Sequence, residues 1–294
     1  MNISVLPWSI LAILCFISAG CDRRVLEMDT PFRIVATDAG FEAPEHVPSG
    51  MRNIVFENHG SEIHEGMLVK LPQGMSPNDY VAAVKRGTLF PKGAVDCSGP
   101  GLTSPGEKTE MWVRLEPGQY ILICWNDGHA KTRSAHPFIV DYTVANDAVP
   151  KQEVVLKLVD FRFEIEGNLR SGVHIIRVET PGPTMHEVDL FRLHDGKTVA
   201  DLNRWRKEDP GGPAPADALG GALDSHDIKR VVWLRKNFAP GRYVLHCEMP
   251  LTPDASASHT DITHADLGMV REFEIERNEA TSETKAVGGA PPVQ

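Results

Sequence analysis

The chain is short of the features that several common functions require. Only five of its 294 residues are cysteine, too few for a dense disulfide framework. Lys and Arg total 30 against 40 Asp and Glu, giving a formal net charge of -10 with no long basic stripe. That excludes a phosphate-tracking surface, and with it a nucleic-acid partner. No apolar run comfortably reaches the length of a membrane-spanning helix. Catalytic signatures are missing as well: there is no Gly-x-Ser-x-Gly elbow, no His-Glu-x-x-His and no His-x-His pair. We therefore do not expect an enzyme. Gly (25) and Pro (22) are plentiful, which favours many turns and short strands over long helices.

The longest apolar stretch, Ile3 to Ile17, has the length of a signal-peptide core and ends in Ser18-Ala19-Gly20-Cys21. Small residues before a cysteine resemble the lipobox of bacterial lipoproteins. This implies lipidation at Cys21, export, and attachment to the periplasmic side of a bacterial membrane. Asp22 resembles the inner-membrane retention signal of some Gram-negative lipoproteins. No Lys or Arg precedes the apolar run, and Ser18 stands where Leu is more usual.

The remainder matches itself. Phe41-Glu42, Ser49-Gly50, Gly60, His64-Glu65 and Gly74 recur as Phe163-Glu164, Ser171-Gly172, Gly182, His186-Glu187 and Gly196, each pair 122 residues apart. Pro117-Gly118-Gln119-Tyr120 and Cys124 recur as Pro240-Gly241-Arg242-Tyr243 and Cys247 at an offset of 123. A steady offset over Gly, His, Tyr and Cys marks an internal duplication. The expected organisation is a leader over 1–21, a first domain over 29–146, a second over 149–276 and a disordered tail over 277–294.

Within each copy the pattern is mostly strand. Alternating segments such as Arg52–Asn58 and His174–Glu179 read as half-buried strands. Tyr120–Cys124 and Tyr243–Cys247 read as buried central strands opened by Pro-Gly turns. Ile139–Val144 and Val270–Ile275 close each copy. One short helix per copy is predicted, after the Ser76-Pro77 cap in the first and over Thr198–Lys207 in the second. Many short strands with turns between them point to sandwiches.

The chemistry-bearing residues cluster by type. His186 lies early on one strand, Cys247 ends a later one, and His264 and Met269 follow in a loop. Two imidazoles, a thiolate and a weak thioether suit copper. Asn58-His59-Gly60-Ser61-Glu62-Ile63-His64 resembles the Asn-x-Gly-x-x-His segment of the cupredoxins. Pro240 to Cys247 resembles that family's Gly-x-Tyr strand leading to its cysteine. His264-Ala265-Asp266-Leu267-Gly268-Met269 has the His-x4-Met spacing of plastocyanin. The resemblance implies an all-β fold of two tandem cupredoxin-like Greek-key β-sandwiches, each with a short helix. It also implies one type-1-like copper in the second domain, held by His186, Cys247, His264 and Met269, and exchanging electrons with a redox partner.

Departures from the family keep alternatives open. Sixteen residues, Glu248 to Thr263, separate Cys247 from His264, so His246 and His259 compete as ligands. Glu187 replaces the Asn that usually follows the first His. The first copy has His64, Cys124, His129 and His136 but no loop Met, with Phe138 near that position, and is expected to hold a degenerate site. Cys97 has no counterpart and could form a disulfide with Cys124. A copper chaperone, or a scaffold that has lost the metal, are the competing readings.

Overall fold

The computed structural model describes residues 30–88, 90–126, 129, 135–144, 148–208, 213–226, 229–251 and 262–276. The leader, Cys21, His259 and the tail lie outside the described residues. No helix among the described residues is long and apolar enough to cross a membrane.

The first half runs β1 (Phe32–Thr37), β2 (Gly40–Glu42), β3 (His46–Asn58), β4 (Met67–Lys70), α1 (Pro77–Lys85), β5 (Val95–Asp96), β6 (Lys108–Leu115), β7 (Gly118–Ile123) and β8 (Ala135–Val144). The second repeats the plan as β9 (Val154–Val159), β10 (Arg162–Glu166), β11 (Gly172–Glu179), β12 (Val188–Leu193), α2 (Val199–Glu208), β13 (Ala216–Ala222), β14 (Val232–Phe238), β15 (Gly241–His246) and β16 (Val270–Ile275). The all-β fold with one short helix per copy is the one the sequence predicts. Both helices start where expected. Ser76 and Asp79 form a reciprocal capping box on α1, and Thr198 and Asp201 do the same on α2.

Each half stacks two layers. β3 serves both layers of the first: residues 46–49 pair parallel with β8, and residues 50–57 pair antiparallel with β6. The switch falls at Gly50, whose φ of 97° a side-chain-bearing residue rarely adopts. Strict alternation along β6 turns Met111, Val113 and Leu115 into a core that also holds Phe56, Leu122 and Phe138.

The two halves are not beads on a string. β6 pairs antiparallel with β14 through Trp112↔Trp233, Met111↔Leu234 and Glu110↔Arg235, which merges one layer of each half into a single sheet. Met111 and Leu234 stand 123 residues apart, the offset at which the sequence matches itself here, so the seam is centred on a local two-fold. A second seam joins the other layers: Cys97, Pro100 and Thr103 bridge to Ser225, Ala222 and Leu219. Gly99 and Gly221 lie on this second seam. A Cβ on Gly99 would collide with the Gly66 carbonyl, and one on Gly221 with the Val188 carbonyl, so the close backbone approach needs both glycines.

Candidate metal centres

In the second half, His186 stands just before β12, Cys247 just after β15, and His264 in the turn leading to β16. All three are buried, and their ligand-type atoms lie within 4.8 Å of one another. His186 Nδ1 is 3.0 Å from His264 Nδ1, and Cys247 Sγ is 3.5 Å from His264 Nδ1. Met269 is fully buried. Its N–H donates to the His264 carbonyl and its carbonyl accepts from the Cys247 N–H. The four residues named from the sequence are thus brought together around one turn.

The sixteen-residue insertion does not push His264 away, because its base is laddered. Leu251 N–H donates to Ile262 O at 2.8 Å and His264 N–H donates to Met249 O at 2.9 Å. The Ala265 N–H then donates to Cys247 O at 2.9 Å. The extra residues leave and return at one place, so Cys247 and His264 stay adjacent. His246 is not in the cluster. Its Nε2 meets Asn203 Oδ1 at 3.1 Å and its ring meets Phe191 edge-on.

The first half builds a matching cluster. His64, Cys124 and His129 are buried and also converge within 4.8 Å. Cys124 Sγ lies 3.9 Å from His64 Nδ1 and 3.5 Å from His129 Nδ1. His136 sits on β8 opposite Leu122, outside the cluster. Two expectations need correction. Cys97 and Cys124 are not bridged, and the Cys97 thiol donates to Val95 O at 3.3 Å instead. Phe138 is not at the Met position. It pairs with Tyr120 just as Phe273 pairs with Tyr243, and each pair stacks. The counterpart of Met269 in the first half is Ser134, which lies outside the described residues.

Several residues that complete these sites escaped sequence reasoning. Asp160 Oδ1 lies 3.4 Å from His186 Nε2, and Asp38 Oδ1 lies 3.2 Å from His64 Nε2. Glu62 Oε2 meets His129 Nε2 at 3.2 Å. A carboxylate at Nε2 keeps the proton there and leaves the Nδ1 lone pair facing the cluster. The Ser61 hydroxyl and the Ser61 and Glu62 amides hold the Asp38 carboxyl well below its ordinary range. The signal was available, since Asp38 and Asp160 share the 122-residue offset. It also explains the repeated glycine. A Cβ on Gly60 would strike Asp38 Oδ1, and one on Gly182 would stand 2.9 Å from Asp160 Oδ1.

The repeated His-Glu has a structural role in each half. Glu65 Oε1 accepts the Trp125 N–H at 2.9 Å, and Glu187 Oε1 accepts the Glu248 N–H at 3.0 Å. Each clamps the strand of the first His to the residue after the Cys. The Glu65 amide donates to Cys124 Sγ at 3.5 Å, and the Glu187 amide does the same for Cys247. Burial drives both carboxyls toward the neutral form, Glu65 up to about 8. Burial pushes the Cys247 thiol up as well. It also lowers His186, and it lowers His264 to about 4 with help from His186. Neutral imidazoles whose lone pairs face a buried thiol are a donor set for a borderline-soft metal rather than for a hard one.

No protein-family model matches the chain, and no curated protein does. Solved structures do. Auracyanin A, a blue copper protein of Chloroflexus aurantiacus, is 20% identical over 38% of this chain and 100% of its own, with a TM-score of 0.27. An auracyanin of Roseiflexus castenholzii is 18% identical over 38% of this chain and 94% of its own, also at 0.27. A multicopper oxidase is 14% identical over 84% of this chain and 88% of its own, at 0.25.

Proposed function

We propose that the protein is an exported, lipid-anchored copper protein that transfers electrons, with its working centre in the second half. The observation that carries this is the convergence of the His186 and His264 Nδ1 atoms with Cys247 Sγ in a buried pocket beside the buried Met269. Cys247, His186 and His264 would hold the ion, with the Met269 thioether as the weakest donor of the set. Bound copper supplies a one-electron Cu(I)/Cu(II) couple. The chain's own part is to hold the ligands still. His186 precedes one strand and Cys247 ends another, while His264 is tied by backbone hydrogen bonds to Met249 and, through Leu267 and Met269, to its own turn. Asp160 fixes the His186 tautomer, and burial excludes water. Little rearrangement then accompanies a change of charge.

Leu251, Ile262 and Leu267 stay 44–55% exposed on the segments flanking His264. This apolar rim suits a brief encounter with a protein redox partner. Cys21 would tether the chain to the periplasmic side of the membrane.

Adding Cu(II) to the full chain should give an intense thiolate-to-copper band in the visible spectrum. Cys247→Ser should remove the component that belongs to the second half. A Cys247→Ser chain with an unchanged spectrum and unchanged copper content would sink this reading.

A further inference from the structure

We infer that the first half carries a second metal centre, a three-ligand thiolate site made of His64, Cys124 and His129 that takes copper without a thioether. The sequence marks this copy as degenerate because it lacks the loop methionine. The geometry is nevertheless that of the second half in its three strong donors. Both clusters fit within 4.8 Å and both are buried. Both hold their imidazole rings with centroids 4.8 Å apart. The inference concerns a different site from the proposed working centre and would survive that centre's failure.

A count of protons supports a cation here. The His64 and His129 Nε2 atoms each face a carboxylate, Asp38 at 3.2 Å and Glu62 at 3.2 Å, so each Nε2 carries the proton. Two Nδ1 lone pairs then point toward Cys124 Sγ. A thiol offers one proton, which cannot lie on both lines. A cation in place of that proton meets the sulfur and both nitrogens at once. Carboxylates face both imidazoles of this set, where among the described residues the second half has Asp160 on His186. Such partners raise imidazole basicity and hold ring orientation. The sulfur is also tuned, since the Glu65 amide donates to it. With no thioether in the set, two imidazole nitrogens and one thiolate would hold the ion.

The test is copper stoichiometry and sulfur count on the full chain, with metal-free protein loaded with copper and then desalted. Wild type should retain two copper ions per chain, each with one short Cu–S bond by X-ray absorption. Cys124→Ser and Cys247→Ser should each retain one, and the double variant none. Wild type holding a single copper, lost in Cys247→Ser and kept in Cys124→Ser, would overturn the second centre and leave the working centre standing. Copper kept in Cys247→Ser and lost in Cys124→Ser would support the first-half centre while removing the other. If a variant melts below room temperature, the wild-type measurement decides alone. A second copper bound adventitiously would halve the mean number of short Cu–S bonds per copper, which also overturns the inference.

Discussion

At the scale of single residues, the carboxylates behind the histidines do the positioning. The Asp160 side chain is 44% exposed, so it adds little to folding, yet it faces His186 Nε2. Asp160→Asn should therefore weaken copper binding at the second-half centre by about 10- to 100-fold, the usual effect of losing such a partner. The melting temperature of the metal-free chain should stay within a degree or two. Competition against a chelator of known affinity reads the first quantity and thermal unfolding reads the second. Unchanged affinity would show that the carboxylate does not position the ring. Glu187 works differently, because it is buried and ties the backbone after Cys247 to the strand of His186. In its neutral form the Glu187 carboxyl still accepts that hydrogen bond through its carbonyl oxygen, as a carboxamide would.

At the scale of elements, the loop after Cys247 is the clearest case of sequence spacing misleading about space. Sixteen residues read as a distance, but the rungs at Met249–His264 and Leu251–Ile262 bring the two ends of the segment together. Closing a loop costs little more when its length doubles, so an insertion whose ends are already paired is tolerated. Replacing residues 252–261 with a short glycine-containing turn should leave copper content and the visible band unchanged. Loss of both, in a chain that still melts cooperatively, would mean that the excursion itself helps build the centre. Strands and helices were legible because their signals are local: alternation along β6, Pro-Gly before β7 and β15, and Ser-Pro before α1. The residues that converge in the second half could be named from the sequence for the same reason, through the spacing of His264 and Met269. What stayed hidden depends on register. The choice of His129 over His136, the match of Phe138 with Phe273, and the bridging role of Cys97–Thr103 follow from which residues face each other across strands. A repeat offset narrows those choices without making them.

At the scale of the whole molecule, the fused sheets place ionisable groups where water cannot follow. Asp96 and Asp224 are buried beside the second seam, and Asp224 Oδ2 meets no hydrogen-bond donor among the described residues. Burial raises Asp224 to about 7, and burial together with the nearby Asp224 charge raises Asp96. Across the seam, Glu65 rises to about 8 and Asp189 to about 7, again mainly through burial. These groups keep a proton in the folded chain that the unfolded chain releases near pH 4. Their stabilising effect is therefore complete below about pH 4 and is lost progressively as pH rises to 7 or 8, each unit of difference being worth about 1.4 kcal/mol. Lys236 acts in the opposite sense. Burial lowers it to about 8, so the folded chain loses that proton first, and stability recovers between pH 8 and the unfolded lysine value near 10.5. The depressed Asp38 adds a small loss of stability in strong acid, discounted because its side chain is 38% exposed. The metal-free chain should thus melt highest in mild acid, fall steadily toward pH 8 and regain part of the loss above it. Asp224→Asn should flatten the fall between pH 4 and 7 while leaving the alkaline recovery in place, because the charges that act on Lys236 are those of Glu107 and Asp189. A melting temperature that climbs from pH 5 to 8 in the wild-type chain would mean that these carboxyls are ionised in the fold, with the seams solvated around them.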